Sequence, residues 1–197
     1  MSTCLQRRSM DSAGMLIALV AFIAFVTPAI AAPELAKARA PGFKLESVGG
    51  SPLDLEALRG RGPVLLDFWA TWCKPCLAAI PELQKLHEEY APRGLTLIGV
   101  STDGPRNFAK VRPFVARQGI TYPVALDEDG NMQQKYQVRA MPMTVLIDTS
   151  GTIVHVTQGF RPGEGSRLRA AIDKLFPARA EETPAESAPT DTTGTVR

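Results

Sequence analysis

Short apolar runs alternate along the chain with longer segments in which apolar residues recur every three or four positions. The short runs predict buried strands, and the longer spacing predicts amphipathic helices. Strand and helix alternate before a closing hairpin and helix, which predicts an α/β domain whose mixed central sheet is flanked by helices. The predicted strands are residues 64–69, 95–100 and 122–126, the helices are residues 73–90, 106–118 and 163–176, and the hairpins lie within residues 43–58 and across residues 144–148 and 153–158.

The first 31 residues have the pattern of an export signal. Arg7-Arg8 precedes an apolar stretch over residues 15–26, and Ala29-Ile30-Ala31 supplies the small residues that signal peptidase accepts. Cleavage after Ala31 is predicted. The alternative is a retained anchor, because residues 12–33 carry no charge and are long enough to cross a bilayer. The sequence therefore predicts an exported, periplasmic protein that is soluble after cleavage, or tethered to the inner membrane if this segment is retained.

Composition and charge fit one globular domain with short appendages. The chain has 197 residues, of which 45% are apolar and 21% charged. Its formal net charge of +2 gives no indication of nucleic acid or of a strongly acidic partner. The predicted parts are a signal or anchor (1–31), a linker (32–40), a domain (41–177) and a disordered tail (178–197) rich in Ala, Glu, Pro, Thr and Ser.

Cys73 and Cys76 are separated by two residues at the point where a predicted strand turns into a helix. The third cysteine, Cys4, would be lost on cleavage. So close a pair can form a small disulfide ring, and a helix N-terminus stabilises the thiolate that attacks other disulfides. A structural disulfide is disfavoured, because a short loop removes little entropy from the unfolded chain. The prediction is a reversible dithiol whose redox group is the Cys73–Cys76 disulfide itself, with no bound cofactor or metal.

The residues around this pair resemble those of a known group of proteins. Asp67-Phe68-Trp69-Ala70-Thr71-Trp72-Cys73-Lys74-Pro75-Cys76, together with Val138-Arg139-Ala140-Met141-Pro142-Met143-Thr144-Val145-Leu146-Ile147-Asp148, resembles the thioredoxin superfamily. The sequence is most similar to the exported TlpA/ResA branch of thiol-disulfide oxidoreductases, over about residues 41–176. The resemblance implies a thioredoxin-like fold with an inserted strand and helix within residues 101–126.

The resemblance also implies roles in disulfide exchange. Cys73 would be the attacking nucleophile and Cys76 the resolving thiol. Asp67 would be a buried acid that passes a proton to and from Cys76, because burial raises the pKa of a carboxyl group. The alternative for Asp67 is a strand-end residue facing water. Pro142 would be a cis-proline beside the disulfide, with the backbone before it free to pair with an extended client.

Four further residues are predicted to face the client: Trp72, Lys74, Pro75 and Met141. The charge of Lys74 favours a thiolate at Cys73, and Pro75 suits the first turn of a helix. Trp69 is predicted to lie in the core. One departure from the ResA type is Ala79, which stands where those proteins keep an acid, so Asp67 alone would handle the proton.

The sequence is compatible with three functions. The favoured one is a periplasmic reductase of client proteins that carry disulfides, of the cytochrome c or copper-site assembly type, re-reduced by a membrane electron donor. The second is a disulfide donor, which is disfavoured because Lys74-Pro75 stands where strong oxidants of this fold carry a histidine. The third is a Cu(I) carrier using Cys73, Cys76 and Met141, since sulfur ligands suit Cu(I). The Pro-x-x-x-Thr-x-x-Cys pattern of peroxiredoxins is absent.

Overall fold

A computed structural model describes residues 35–159, 161 and 163–176 of the chain. The predicted export signal, the first three residues of the predicted linker and the predicted tail lie outside these residues. Within them, no helix combines the length and the apolar character needed to cross a membrane.

The described residues form seven strands and five α-helices. Each predicted strand and helix is found at its place, with ends that differ by up to three residues. The strands are β1 (Lys44–Glu46), β2 (Pro52–Asp54), β3 (Val64–Trp69), β4 (Thr96–Ser101), β5 (Val124–Leu126), β6 (Met143–Ile147) and β7 (Ile153–Gln158). The helices are α1 (Leu55–Arg59), α2 (Lys74–Tyr90), α3 (Phe108–Gln118), α4 (Asn131–Lys135) and α5 (Glu164–Asp173).

Five strands form one mixed sheet in the order β5-β4-β3-β6-β7. β3, β4 and β5 are parallel, whereas β6 runs antiparallel to β3 and β7 antiparallel to β6. β1 and β2 pair separately as an antiparallel hairpin. Every residue of the central strand β3 is buried, as expected for a strand that is covered on both faces. The predicted mixed sheet and both predicted hairpins are therefore confirmed.

Each face of the sheet packs against its own apolar cluster. One face, here called the cysteine face, holds Leu65 and Trp69 together with both cysteines and residues of α2, α3 and α5. The opposite face holds Leu66 and Phe68 with residues of the β1–β2 hairpin, α1 and α4. Successive side chains of a strand point to opposite faces. Asp67, between Leu66 and Phe68, therefore points to the cysteine face.

The apolar pattern does not reveal α1 and α4, which have five residues each. α1 follows Asp54, whose Oδ1 accepts a hydrogen bond from the Glu56 N–H at 3.0 Å. α4 follows Asp127, whose two carboxylate oxygens each accept a backbone N–H at 2.9 Å, from Met132 and Gln133. Elements this short offer too few positions for a helical period, and side-chain acceptors at their first turns stabilise them instead.

Part of the predicted linker is attached to the domain. The Lys37 N–H donates to the Ile153 carbonyl at 2.7 Å, and the Ile153 N–H donates to the Ala38 carbonyl at 2.9 Å. The Ala40 N–H donates to the Gly151 carbonyl at 2.8 Å. Residues 35–40 thus run beside the start of β7, while the domain bounds themselves stay a prediction.

Candidate active site

The cysteine pair lies where β3 passes into α2. The Cys73 N–H donates to the Ala70 carbonyl at 3.0 Å, which closes the turn after the strand. Cys73 is the N-cap of α2, and its Sγ accepts a hydrogen bond from the Cys76 N–H at 3.3 Å. Pro75 occupies the first turn, where the helix needs no backbone donor from it. A disulfide joins Cys73 to Cys76, so the structure shows the pair in its oxidised form.

The two cysteines differ in their access to the surface. Cys73 is 5% exposed and Cys76 is 2% exposed. Only Cys73 of the two lines an open cleft of about 500 Å³, here called the cysteine cleft, whose wall consists of residues 72–75, Gln133 and residues 138–141. Cys73 is therefore the cysteine of the pair that faces the cysteine cleft.

The two tryptophans next to the pair lie in contrasting places. Trp72 is 63% exposed, and it forms part of the wall of the cysteine cleft. Trp69 is buried and stacks on Phe114, with ring centroids 5.1 Å apart. Trp72 is thus placed where a client contact was expected, and Trp69 is placed in the core.

The peptide bond between Met141 and Pro142 is cis, which confirms the geometry expected there. Met141 lines the cysteine cleft and packs against the apolar cluster that contains both cysteines. Its Sδ lies 3.1 Å from Thr102 Oγ1, whose single proton is equally close to the Trp69 carbonyl oxygen at 3.1 Å. Met143 packs on the opposite face of the sheet. Met141 is therefore the one methionine of the two that lies beside the pair, where the Cu(I) alternative expects it, and Cu(I) binding itself stays a prediction.

Asp67 is buried on the cysteine face, with 1% of its surface exposed. It lies opposite Thr144 on β6 and Gly99 on β4. Its Oδ1 has no hydrogen-bond partner among the described residues. Burial without compensating bonds disfavours the ionised form, and it raises the pKa of Asp67 from 3.8 to about 7. The alternative of a strand-end aspartate facing water is wrong, and Asp67 can exchange a proton near neutral pH.

The polar groups around Asp67 also lack partners. In the part of the chain that the structure describes, the indole N–H of Trp69 and the hydroxyls of Tyr122 and Thr144 make no hydrogen bond. Burial raises the pKa of Tyr122, and the nearby charge of Asp67 raises it further. The absence of a side chain at Gly99 admits both rings, since a Cβ there would lie 2.8 Å from Trp69 Nε1 and 3.2 Å from Tyr122 Cε2. Three uncommitted donors therefore share the cysteine face with Asp67.

A small cavity of about 30 Å³ lies between α2, α5 and the end of the sheet. Its wall includes Ala79, Pro142 and Thr144. The methyl group of Ala79 leaves the space open, where an acid was expected in ResA-type proteins.

A buried carboxylate outside the predicted site holds the loop before the cysteines. Asp103 accepts hydrogen bonds from the Thr71 N–H at 2.9 Å, from Thr71 Oγ1 at 2.6 Å and from Ser101 Oγ at 3.0 Å. Thr71 directly precedes Trp72, so these bonds fix the approach to the helix start. The available signal was a run of polar residues, Ser101-Thr102-Asp103, directly after an apolar strand.

Comparison with known proteins assigns the family. The model of the AhpC/TSA family matches residues 36–156, more than half of the chain. The chain belongs to the AhpC/TSA family. Its relatives include thiol-disulfide oxidoreductase ResA of Halalkalibacterium halodurans, 37% identical over 121 residues that cover 61% of this chain and 67% of the relative. ResA of Oceanobacillus iheyensis is 39% identical over 124 residues, which cover 61% of this chain and 63% of that relative, slightly less than two thirds of its length.

A solved structure supports the same assignment. A candidate thiol:disulfide interchange protein DsbE from Chlorobium tepidum matches with a TM-score of 0.65 at 31% identity, covering 71% of this chain and 96% of that one. This AhpC/TSA family member is thus a thiol-disulfide oxidoreductase with a thioredoxin-like fold, and its partners are proteins that carry disulfides. The predicted fold and enzyme class are confirmed, while the roles of single residues stay predictions.

Proposed function

We propose that this AhpC/TSA family member is an exported, periplasmic reductase of client disulfides, re-reduced by an electron donor in the membrane. Its clients would belong to cytochrome c or copper-site assembly, where cysteines have to be thiols before they can react or bind metal. Export is supported by the signal pattern of residues 1–31.

The observation that carries the proposal is the unequal placement of the two cysteines. In the reduced protein, the Cys73 thiolate at the cleft attacks a client disulfide and forms a mixed disulfide, releasing the first client thiol. The Cys76 thiolate then attacks Cys73 Sγ, which releases the second client thiol and leaves the Cys73–Cys76 disulfide. Two electrons pass to the client. Asp67, whose pKa is raised to about 7, accepts the proton of Cys76 as that thiol attacks.

The residues between the cysteines favour reduction over disulfide donation. A histidine inside the motif would stabilise the reduced thiolate and make the disulfide a strong oxidant. This chain has Lys74 and Pro75 there. Both side chains are exposed at the cysteine cleft. Because the charge of Lys74 also favours a thiolate, the potential has to be measured.

The reduction potential of the Cys73–Cys76 pair tests the direction of electron flow. The protein is equilibrated with thiol buffers of known potential, and its alkylated cysteines are counted by mass. We expect a value on the order of −270 mV, as for thioredoxin. A value on the order of −120 mV would make the protein a disulfide donor and overturn the reductase proposal.

The order of attack is tested by a matched pair of substitutions. Cys76→Ser removes the resolving thiol, so mixed disulfides with a client should accumulate on Cys73. Cys73→Ser removes the thiol at the cleft and should trap few. Both variants are mixed with the same disulfide-containing client, and adducts are separated without reductant and identified by mass. Equal yields from the two variants would contradict the assigned roles.

A further inference from the structure

Trp72 separates two open clefts. On one side lies the cysteine cleft. On the other side lies a second cleft of about 500 Å³, here called the helix cleft, whose wall consists of Thr71, Trp72 and five α3 residues from Ala109 to Arg117. Because Trp72 belongs to both walls, a client segment that lies across its ring enters both clefts at once.

The charged side chains that line the two clefts are all basic. The cysteine cleft has Lys74 and Arg139, and the helix cleft has Lys110 and Arg117. All four are exposed. Among the described residues, neither wall includes a carboxylate. Asp103 accepts a hydrogen bond from Thr71, which lines the helix cleft. Because Asp103 is fully buried, its carboxylate cannot contact a ligand in that cleft.

These four cations have no carboxylate partner within the described ranges. Lys110 Nζ is held by the neutral Asn107 Oδ1 at 2.8 Å, and the Arg117 guanidinium lies over the Phe114 ring, 5.4 Å from its centroid. Both contacts position a cation without neutralising it. The net charge of the chain is only +2, so the basic cluster at Trp72 is local. The ion pairs of the described residues lie elsewhere, at Arg59, Arg93, Arg167 and Arg169.

We infer that the two clefts bind an acidic client segment, one with Asp or Glu residues on both sides of its reactive cysteine. The inference rests on the proposed function, because it concerns the client of that same site. With the client cysteine at Cys73, its neighbours on one side face the cations of the cysteine cleft. Those on the other side pass over Trp72 to the cations of the helix cleft. Arginine pairs with carboxylates in a planar fork, and opposite charges speed the encounter.

Three peptides test the preference. Each carries one cysteine joined by a disulfide to a small neutral thiol, and they differ only in whether the residues on both sides of that cysteine are Glu, Gln or Lys. The reduced full-length protein converts each into a peptide thiol and a small thiol while its own cysteines form a disulfide. We expect the Glu peptide to react about tenfold faster than the Lys peptide at low salt, with the ratio falling towards one as salt screens the charges.

Charge reversals locate the effect. Arg117→Glu and Lys110→Glu each place a carboxylate in the helix cleft, and each should reduce the ratio between the Glu and Lys peptides at least threefold. The matched control is Arg112→Glu, which makes the same change of charge on the same helix at an exposed residue that lines neither cleft. This control should keep the ratio of the parent protein. Two helix-cleft variants are used so that the test survives if one of them fails to fold.

The outcomes separate this inference from the proposed function. If all three peptides are reduced at equal rates, the acidic preference is wrong and the reductase proposal stands. A loss of preference in Arg112→Glu as large as in Arg117→Glu would assign the effect to overall charge and overturn the role of the clefts. If none of the peptides is reduced, the proposed function itself fails.

Discussion

Asp67 in β3 and Asp103 just after β4 are both fully buried, yet their surroundings are opposite. Asp103 accepts three hydrogen bonds from Thr71 and Ser101. Asp67 has an oxygen without a partner among the described residues, and its pKa is raised to about 7. Hydrogen bonds replace the water that burial removes, and where they are missing, as at Asp67, burial disfavours the ionised form. Burial alone therefore does not define what a carboxylate does; the hydrogen bonds that it accepts do.

The largest expected effect is on the stability of the protein with Asp67→Asn. The pKa of Asp67 is higher in the folded state than its ordinary value of 3.8, so the folded protein binds this proton more tightly than the unfolded chain. Stability is therefore lost as pH rises from about 4 to about 7, by ~4 kcal/mol for a pKa of about 7. The neutral amide removes that loss. We expect the variant to be more stable than the parent by up to ~4 kcal/mol at about pH 8, and equal to it near pH 4.

Denaturant unfolding of both oxidised proteins at the two pH values measures this difference. A variant that is less stable than the parent at about pH 8 would contradict the expected gain from removing the buried carboxylate. The comparison with Asp103 would then lose its basis.

The next effect is expected for Asp103→Ala. The substitution leaves the Thr71 N–H, the Thr71 hydroxyl and the Ser101 hydroxyl without their acceptor. Unsatisfied buried groups cost about 1–3 kcal/mol each, and water entering the space offsets part of this. We expect a loss of ~3 kcal/mol in the free energy of unfolding at neutral pH. The substitution Thr71→Ala and the double variant complete a thermodynamic cycle, and strictly additive losses would show that the two residues do not interact.

A third effect concerns turnover. Asp67→Asn can neither take up nor release the Cys76 proton, so client reduction should slow at least tenfold, equivalent to ~1.4 kcal/mol in the barrier. Alkylation of Cys73 in the reduced protein should be nearly unchanged, since that thiolate depends on the helix start. The two rates are followed by thiol release and by mass. Unchanged turnover would remove Asp67 from the mechanism.

The smallest expected effect is at Asp127. This is a second buried carboxylate, and both of its oxygens accept hydrogen bonds. Asp127→Ala removes the acceptor of the Met132 and Gln133 N–H groups at the start of α4. Loss of these acceptors at a helix start should cost about as much as the loss of an N-cap side chain, ~1 kcal/mol. Hydrogen exchange should speed up at these two amides and stay slow in β3. Exchange that accelerates through the whole sheet would mean that Asp127 supports more than this short helix.

The sequence allowed most of the fold to be predicted, because long apolar runs such as 64–69 and helical periods such as 73–90 extend over many positions. The five-residue helices α1 and α4 could not be found this way, since their stability comes from the carboxylates of Asp54 and Asp127. Secondary structure can thus be predicted where apolar residues recur over many positions. It cannot be predicted this way where a single side chain stabilises a short helix.

The candidate site divides in the same way. Cys73, Cys76 and Pro142 could be predicted because they lie in local motifs. Asp103 could not, since its partner Thr71 is 32 positions earlier in the chain and only the parallel pairing of β3 and β4 brings the two together. The basic clefts could not be predicted from composition, because the net charge of the whole chain is close to zero. Lys110 and Arg139 are far apart in sequence, and only the fold places them in the two clefts on either side of Trp72.

The positions of the tryptophans give the protein an optical reporter of its own chemistry. The chain has two tryptophans, Trp69 and Trp72, and both lie just before the cysteine pair. Trp69 is buried and stacks on Phe114, whereas Trp72 is 63% exposed between the two clefts. A bound client would cover Trp72 and shift its emission to shorter wavelengths, whereas Trp69 is already buried. Intrinsic fluorescence can therefore follow client encounter in solution without any dye or tag.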